Sequence, residues 1–254
     1  MAPHDLPSAD ITTTLDDGVA TIVLDRPGAL NALTSDMLTA LASTLDQVEI
    51  NDAVEVIVLT GAGRAFSAGV DLKALGQRRL EGGKVGDVLD VPARAVTSRL
   101  STISKLVIAK VNGFCFTGAL ELVLACDLAI AAENAKLGDT HAKFGLRPTW
   151  GMSQRLVAAV GITRARELSY TARTFTGAEA AAWGLLTRAV PADVLDVAVA
   201  DLIAELRGNS MGSLAAYKDL YRRSLDVGLA RGLEYEASTD YAITDTEPRL
   251  AEFR

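Results

Sequence analysis

The alternation of apolar and polar positions predicts a chain that begins with strands and ends with helices. Two β-rich runs, residues 11–15 and 19–25, flank a turn sequence that contains glycine, and they predict a hairpin. Residues 35–48 place their apolar side chains on one helical face, which predicts an amphipathic helix. The continuous apolar run 54–60 is typical of a strand that is covered on both faces.

Strand, turn and helix patterns recur further along the chain. The nearly apolar run 111–132 contains Glu121 and Asp127, and ionisable groups inside a lipid-spanning helix are costly. We therefore interpret this run as a buried, largely helical stretch that leads into a strand. The other predicted elements are a surface loop over 76–92, a helix over 92–106, strands over 107–111, 128–132 and 135–137, a loop over 140–151, helices over 153–160, 163–172 and 177–183, a strand over 185–190, and helices over 192–206, 213–227 and 229–242.

The change from mixed to purely helical patterns predicts two regions. Residues 1–191 are expected to form an α/β core, and residues 192–254 a helical region that packs on a neighbouring subunit.

A net charge of -7 without a dense Lys/Arg cluster argues against nucleic acid or an anionic membrane as a partner. The first residues lack a secretory pattern, and Cys115 and Cys126 are expected to stay reduced, so the expected location is the cytoplasm.

Two glycine-containing turns, within residues 66–72 and 112–121, each lead into a predicted helix. Glycine allows a sharp turn there, and the first N–H groups of a helix lack intrahelical acceptors and favour negative charge. If the turns converge, the N–H groups of Val70 and Gly118 would form an oxyanion hole that stabilises an enolate developing on a thioester oxygen. Glu121 lies one helical turn after Gly118, so its carboxylate could address the same substrate.

These residues also have structural interpretations. The glycines could be ordinary turn residues, and Glu121 could be a buried glutamate held by an arginine or by backbone donors. An unpaired carboxylate in an apolar helix costs several kcal/mol, which favours a functional role for Glu121.

Several motifs stand in order along nearly the whole chain. They are Leu24-Asp25-Arg26-Pro27 with Leu30-Asn31-Ala32-Leu33, Phe66-Ser67-Ala68-Gly69-Val70-Asp71-Leu72-Lys73, Val111-Asn112-Gly113 through Glu121, and Cys126-Asp127-Leu128. In these motifs the chain resembles the enoyl-CoA hydratase/isomerase, or crotonase, family. The resemblance implies an α/β fold, a crotonase-like spiral of ββα units with a helical C-terminal trimerisation region, assembled as a homotrimer or a dimer of trimers. It also implies an acyl-coenzyme A thioester as substrate, with no separate cofactor and no metal.

The resemblance assigns roles to individual residues. Val70 and Gly118 match the two oxyanion donors, and Glu121 matches the first of the two catalytic glutamates of the hydratases. His141 stands at the position of the second glutamate. The positions that line the coenzyme A site in the family are matched here by Arg26, Ala29, Leu30, Ala68, Asp71 and Leu72.

The histidine at the second catalytic position changes the expected chemistry. A neutral imidazole can accept a proton from water, and its conjugate acid can return one to carbon, so we expect His141 to act in catalysis with Asp139 orienting it. A hydrogen-bonded structural histidine is the alternative. Trp150 is expected either to form one wall of the acyl pocket or to be a core residue.

The predicted function is hydration of a 2-enoyl-CoA to a 3-hydroxyacyl-CoA, with Val70 and Gly118 polarising the thioester and Glu121 and His141 handling water. Two alternatives stay open from the sequence. One is another crotonase-type reaction, namely isomerisation, hydrolysis or carbon-carbon cleavage, through the same enolate. The other is a non-catalytic acyl-CoA-binding protein that has lost the second glutamate.

Overall fold

The structure, a computed structural model, describes residues 10–74, 76 and 80–252. The strands are β1 (Ile11–Asp16), β2 (Val19–Leu24), β3 (Val56–Gly61), β4 (Ala65–Ser67), β5 (Leu106–Val111), β6 (Phe114–Phe116), β7 (Leu128–Ala132), β8 (Lys136–Gly138), β9 (Phe175–Thr176) and β10 (Arg188–Val190). The helices are α1 (Ser35–Glu49), α2 (Asp87–Thr102), α3 (Gly118–Val123), α4 (Met152–Thr171), α5 (Gly177–Ala182), α6 (Leu195–Arg207), α7 (Met211–Asp226), α8 (Leu229–Ser238) and α9 (Thr246–Ala251). No helix in these residues has the length and apolar character needed to cross a membrane.

The strands described form two sheets. The larger sheet has the order β1-β2-β3-β5-β7-β10, with β1 antiparallel to β2 and the later neighbours parallel. The smaller sheet has the order β4-β6-β8-β9, antiparallel only between β8 and β9. The units β3-β4-α2, β5-β6-α3 and β7-β8-α4 each place one strand in each sheet and continue into a helix. This arrangement is the predicted spiral of ββα units.

The local periodicities that predicted the first elements are confirmed. The hairpin of β1 and β2 turns at Asp17 and Gly18, which both have positive φ, the combination that a two-residue hairpin turn requires. β3 is buried at every position. The apolar face of α1 is buried through Met37, Leu38, Leu41, Leu45 and Val48. Burial of an apolar side chain of this size contributes about 1.5–3 kcal/mol, so this face anchors α1 to the core.

The predicted start of α2 at residue 92 is wrong, because the helix begins at Asp87 and contains Pro92 in its second turn. Proline has no N–H to donate to the carbonyl four residues earlier, which is that of Val88. Ser35 Oγ donates to the Val88 carbonyl at 2.8 Å instead, so this carbonyl is paired although Pro92 cannot donate to it. The predicted surface loop is correspondingly shorter, and residues 77–79 of it lie outside the described residues.

The stretch 111–132 is not largely helical. It contains strand β6 and the six-residue helix α3, separated by Thr117, whose φ of 53° is incompatible with a continuous helix. Cys115 therefore lies in a strand and Cys126 in the turn after α3, and both are free cysteines. The expectation that they stay unbridged is confirmed, although the long helix from which it was derived is absent.

Other element bounds also differ from those predicted. The helices expected over 153–160 and 163–172 are joined in α4, which is kinked at Gly161. β5 already begins at Leu106, where the preceding helix was expected to end, and β10 is shorter than the strand expected over 185–190. α8 ends at Ser238 rather than at residue 242, and α9 was not predicted.

A buried lysine attaches α7 to the core. Lys218 Nζ donates to the carbonyl groups of Leu100 and Lys105, both at 3.0 Å. It also lies 2.8 Å from Asp127 Oδ2, which accepts a further hydrogen bond from the Val107 N–H. Burial raises the pKa of Asp127, and the ammonium and these hydrogen bonds act in the opposite direction. Asp127 therefore depends on Lys218 for its charge compensation.

Replacing Lys218 by methionine is expected to lower the free energy of unfolding by about 2 kcal/mol, because the half-buried Asp127 carboxylate would lose its counter-ion. Urea denaturation followed by circular dichroism measures this difference. Lys136→Met, at an exposed lysine, is the matched control and should leave the unfolding midpoint nearly unchanged. Equal midpoints for the two variants would contradict the role of Lys218.

Candidate active site

The two glycine-containing turns lie next to each other. β4 and β6 are adjacent and parallel, so the segments that leave their carboxyl ends are neighbours. A Cβ placed on Gly69, whose φ is 89°, would lie 2.7 Å from the Phe116 carbonyl oxygen and 3.7 Å from Gly118 N. Only glycine fits this close approach, which brings the residue before Val70 against the start of α3.

The N–H groups of Val70 and Gly118 have no acceptor among the described residues. Leu33 donates to the carbonyl of Gly69 and accepts from the N–H of Asp71, so the Val70 N–H points away from this bridge. Gly118 is the first residue of α3, where no intrahelical acceptor exists. The arrangement leaves two unpaired donors on neighbouring segments.

Glu121 lies in the first turn of α3 and is 2% exposed. Its Oε1 accepts the N–H groups of Trp150 at 3.1 Å and Met152 at 2.9 Å. Burial raises the pKa of Glu121 to about 7, against the effect of these two hydrogen bonds and of His141. One carboxylate oxygen is therefore held by backbone donors, as the structural interpretation expected, while Oε2 faces His141.

His141 lies between two carboxylates. Its Nδ1 is 2.7 Å from Asp139 Oδ1, so Asp139 is placed to orient the imidazole, and its Nε2 is 3.7 Å from Glu121 Oε2. Burial disfavours ionisation of Asp139, but hydrogen bonds from His141 and from Ser169 Oγ outweigh it and hold its pKa below the usual value. An ionised Asp139 can only accept, which fixes a proton on Nδ1 and turns the lone pair of Nε2 toward Glu121.

The separation of 3.7 Å between His141 Nε2 and Glu121 Oε2 exceeds the length of a direct hydrogen bond. Both atoms can instead form a hydrogen bond to the same water molecule. This geometry suits a pair of groups that share a reacting water.

Trp150 is buried, and its ring lies against the start of α3. A Cβ on Gly118 would come within 2.4 Å of Cζ3 of the indole, so the ring occupies the space beside this residue. The indole Nε1 donates to Asp90 Oδ1 at 2.8 Å. Trp150 is thus a buried residue next to Gly118, and its role as an acyl-pocket wall stays a prediction.

The predicted coenzyme A residues come from two segments that contact each other. The Ala68 N–H donates to the Leu30 carbonyl at 2.9 Å, and Arg26 Nη1 lies 3.1 Å from Asp71 Oδ2. Ala29 and Leu72 belong to the same two segments. Arg26 Nε is also 3.5 Å from Asp10 Oδ2, so a substrate phosphate would compete with two carboxylates for this guanidinium.

Three further polar residues, which had been given no role from the sequence, support the site. Asn31 is fully buried and donates to the Ala62 and Ala65 carbonyls, which holds the turn that follows Arg26. Ser169 binds Asp139, and Asp90 binds Trp150. The sequence carried a sign of the buried position of Asp90, since this residue stands between apolar neighbours.

Within the described residues, no group of three or more His, Cys, Asp or Glu side chains is placed to hold a metal ion.

Comparisons with known proteins agree with this fold. The sequence pattern of the enoyl-CoA hydratase/isomerase family matches residues 14–250. The probable peroxisomal enoyl-CoA hydratase 1 of Arabidopsis thaliana is 33% identical over 225 residues, which are 89% of this chain and 83% of that protein.

Two solved structures are similar throughout. An enoyl-CoA hydratase from Bacillus anthracis has a TM-score of 0.84 and 32% identity, covering 90% of this chain and 88% of its own. A Thermobifida fusca protein solved in complex with CoA has a TM-score of 0.81 and 33% identity, covering 96% of this chain and 94% of its own. The chain has the crotonase fold and belongs to the enoyl-CoA hydratase/isomerase family.

Proposed function

We propose that this protein is an enzyme, a lyase that hydrates a 2-enoyl-CoA to a 3-hydroxyacyl-CoA. The observation that carries the proposal is the pair formed by Glu121 Oε2 and His141 Nε2, which are 3.7 Å apart. Glu121 lies on the helix whose first N–H belongs to Gly118, and His141 comes from the loop after β8. The hydratases among its relatives support the same reaction. The pair supplies a carboxylate and an imidazole where the family commonly has two carboxylates.

In the proposed mechanism, the thioester oxygen accepts hydrogen bonds from the N–H groups of Val70 and Gly118. These donors stabilise the negative charge that develops on this oxygen as the enolate forms. They act most strongly on the enolate, so they lower the barrier rather than merely increase substrate affinity.

The water is handled by Glu121 and His141. The Glu121 carboxylate, anchored through Oε1, orients the water through Oε2. His141 Nε2 takes a proton from this water as the water oxygen bonds to Cβ, and the electron pair of the carbon-carbon double bond moves into the enolate. The imidazolium, stabilised by Asp139, then returns a proton to Cα. The net change is the addition of one water.

The substrate site proposed for coenzyme A is lined by Arg26, Ala29, Leu30, Ala68, Asp71 and Leu72, with Trp150 beside the acyl group. Two observations support this site: the two segments contact each other, and a similar protein was solved in complex with CoA. No separate cofactor enters the reaction, because coenzyme A is part of the substrate.

The proposed assembly is a homotrimer or a dimer of trimers, formed through the helical region 192–254. It is supported by large apolar side chains that α7 and α8 leave exposed: Tyr217, Tyr221, Leu225, Leu229 and Leu233. Sedimentation analysis would distinguish these states from a monomer.

The proposed location is the cytoplasm, where two free cysteines fit a reducing environment.

The test is incubation of the purified protein with 2-enoyl-CoA thioesters of short to long chain, followed by mass spectrometry. Hydration gives a product heavier by one water, and this is the expected result. Release of free coenzyme A would indicate hydrolysis, and an unchanged mass with a moved double bond would indicate isomerisation. Tight binding without turnover of any thioester would favour an acyl-CoA-binding protein and contradict the proposal.

A further inference from the structure

Asp90 is a buried carboxylate outside the residues proposed above for catalysis. It lies in the first turns of α2 and is 1% exposed. Its Oδ1 accepts hydrogen bonds from Thr149 Oγ1 at 2.6 Å and from Trp150 Nε1 at 2.8 Å. Its Oδ2 is buried and has no hydrogen-bond partner among the described residues. Asp90 therefore acts on its surroundings through one oxygen.

The residues that Asp90 binds belong to the segment that holds Glu121. Trp150 and Met152 donate their N–H groups to Glu121 Oε1, and Gly151 between them has a φ of 120°. This conformation is open to glycine and strained for other residues, so the segment needs support from its neighbours to keep both N–H groups aimed at one oxygen.

Helix α2 supplies that support at two points. Asp90 holds the side chains of Thr149 and Trp150. Arg155 Nη1 donates to the Trp150 carbonyl at 2.9 Å, and its Nη2 donates to Ser101 Oγ of α2 at 3.1 Å. The arginine fixes the backbone after Trp150, and Asp90 accepts the hydrogen bonds of the indole and of the Thr149 side chain before it.

We propose that Asp90 is a positioning residue for Glu121. By holding Trp150 and Thr149, it keeps the two backbone donors on Glu121 Oε1 and thereby keeps Oε2 directed at His141 and at the reacting water. The same contact holds the indole against Gly118. This inference rests on the proposed hydratase activity for its kinetic readout.

The pH profile gives a signature that a purely structural role would not produce. The hydrogen bonds from Trp150 and Met152 lower the pKa of Glu121 against the effect of burial. When these bonds loosen, the pKa of Glu121 rises further, and a larger part of the carboxyl groups is protonated at neutral pH. The acidic limb of the rate profile is then expected to move to higher pH.

The test compares Asp90→Ala with Asp90→Asn in the full-length protein. Asparagine can keep the acceptor for Thr149 and Trp150 and replaces only the oxygen that has no partner, so its rate and pH profile should remain close to those of the wild type. Asp90→Ala removes the acceptor and should lower kcat about tenfold, with KM little changed and the acidic limb at higher pH. Asp87→Asn, at an exposed aspartate of the same helix, is the control for charge.

A second variant keeps the test decisive if Asp90→Ala folds poorly. Trp150→Phe keeps an aromatic ring but removes the indole N–H with the part of the indole that carries it, and it should reproduce the lower kcat and the shifted limb, with the double variant no worse than either single one. An Asp90→Asn variant as impaired as Asp90→Ala, or a wild-type pH limb in Trp150→Phe, would overturn the inference. A wild type without hydratase activity would instead refute the proposed function, and the two failures are thus distinguishable.

Discussion

Glu121→Gln is expected to lower kcat for hydration by about 10²–10⁴-fold while acyl-CoA affinity is retained. Glutamine has the same size, and its Oε1 can still accept the N–H groups of Trp150 and Met152. What it lacks is the carboxylate oxygen that faces His141. Initial rates with a short 2-enoyl-CoA give kcat, and calorimetric titration with a saturated acyl-CoA gives the affinity. Loss of affinity together with activity would indicate that Glu121 is structural.

The same residue accounts for an expected pH dependence in the wild type. Burial raises the pKa of Glu121 to about 7, and the ionised form orients the water in the proposed mechanism. The value of kcat/KM is therefore expected to rise through about pH 7 as this carboxyl group loses its proton. Glu121→Gln has no carboxyl group at this position and should lack this limb. A persisting limb in the variant would assign the titration to another group.

His141→Ala is expected to lower kcat by about 10²-fold or more, because it removes the imidazole that takes the proton from the water in the proposed mechanism. Lys143→Ala, at an exposed residue of the same turn, is the matched control. Rates for both variants follow from the loss of enoyl absorbance in the same assay. Full hydration activity in His141→Ala would show that the imidazole has no part in the reaction and would leave Glu121 alone as the acid-base group.

Local sequence patterns predicted the elements that depend on local physics. The face of α1, the hairpin turn at Asp17 and Gly18 and the buried strand β3 each follow from a periodicity or a backbone preference within a few residues. The strands of the smaller sheet are two or three residues long, and their partners are remote in sequence. Of these strands, β8 was predicted, over 135–137. β4, β6 and β9 were not, because a pattern that short carries too little periodicity to predict a strand.

The site was predictable to a similar extent. The turns that carry Val70 and Gly118 were visible from glycine and from the resemblance to the family, and so were Glu121 and His141. Apart from the contact between Asp139 and His141, the contacts that orient them were not. Asp90 was missed because residues 76–92 were interpreted as a surface loop, and its partners lie about 60 residues away in the chain. Ser169 lies on a helix whose sequence gives no sign that it binds Asp139.

The central claim is that the N–H groups of Val70 and Gly118 bind one thioester oxygen. A crystal structure of the protein with a non-hydratable acyl-CoA thioester tests it most directly. We expect the carbonyl oxygen about 2.7–3.1 Å from both nitrogens, with the acyl carbons beside Glu121 and His141. A thioester oxygen bound elsewhere, with these two nitrogens facing separate cavities, would contradict the mechanism.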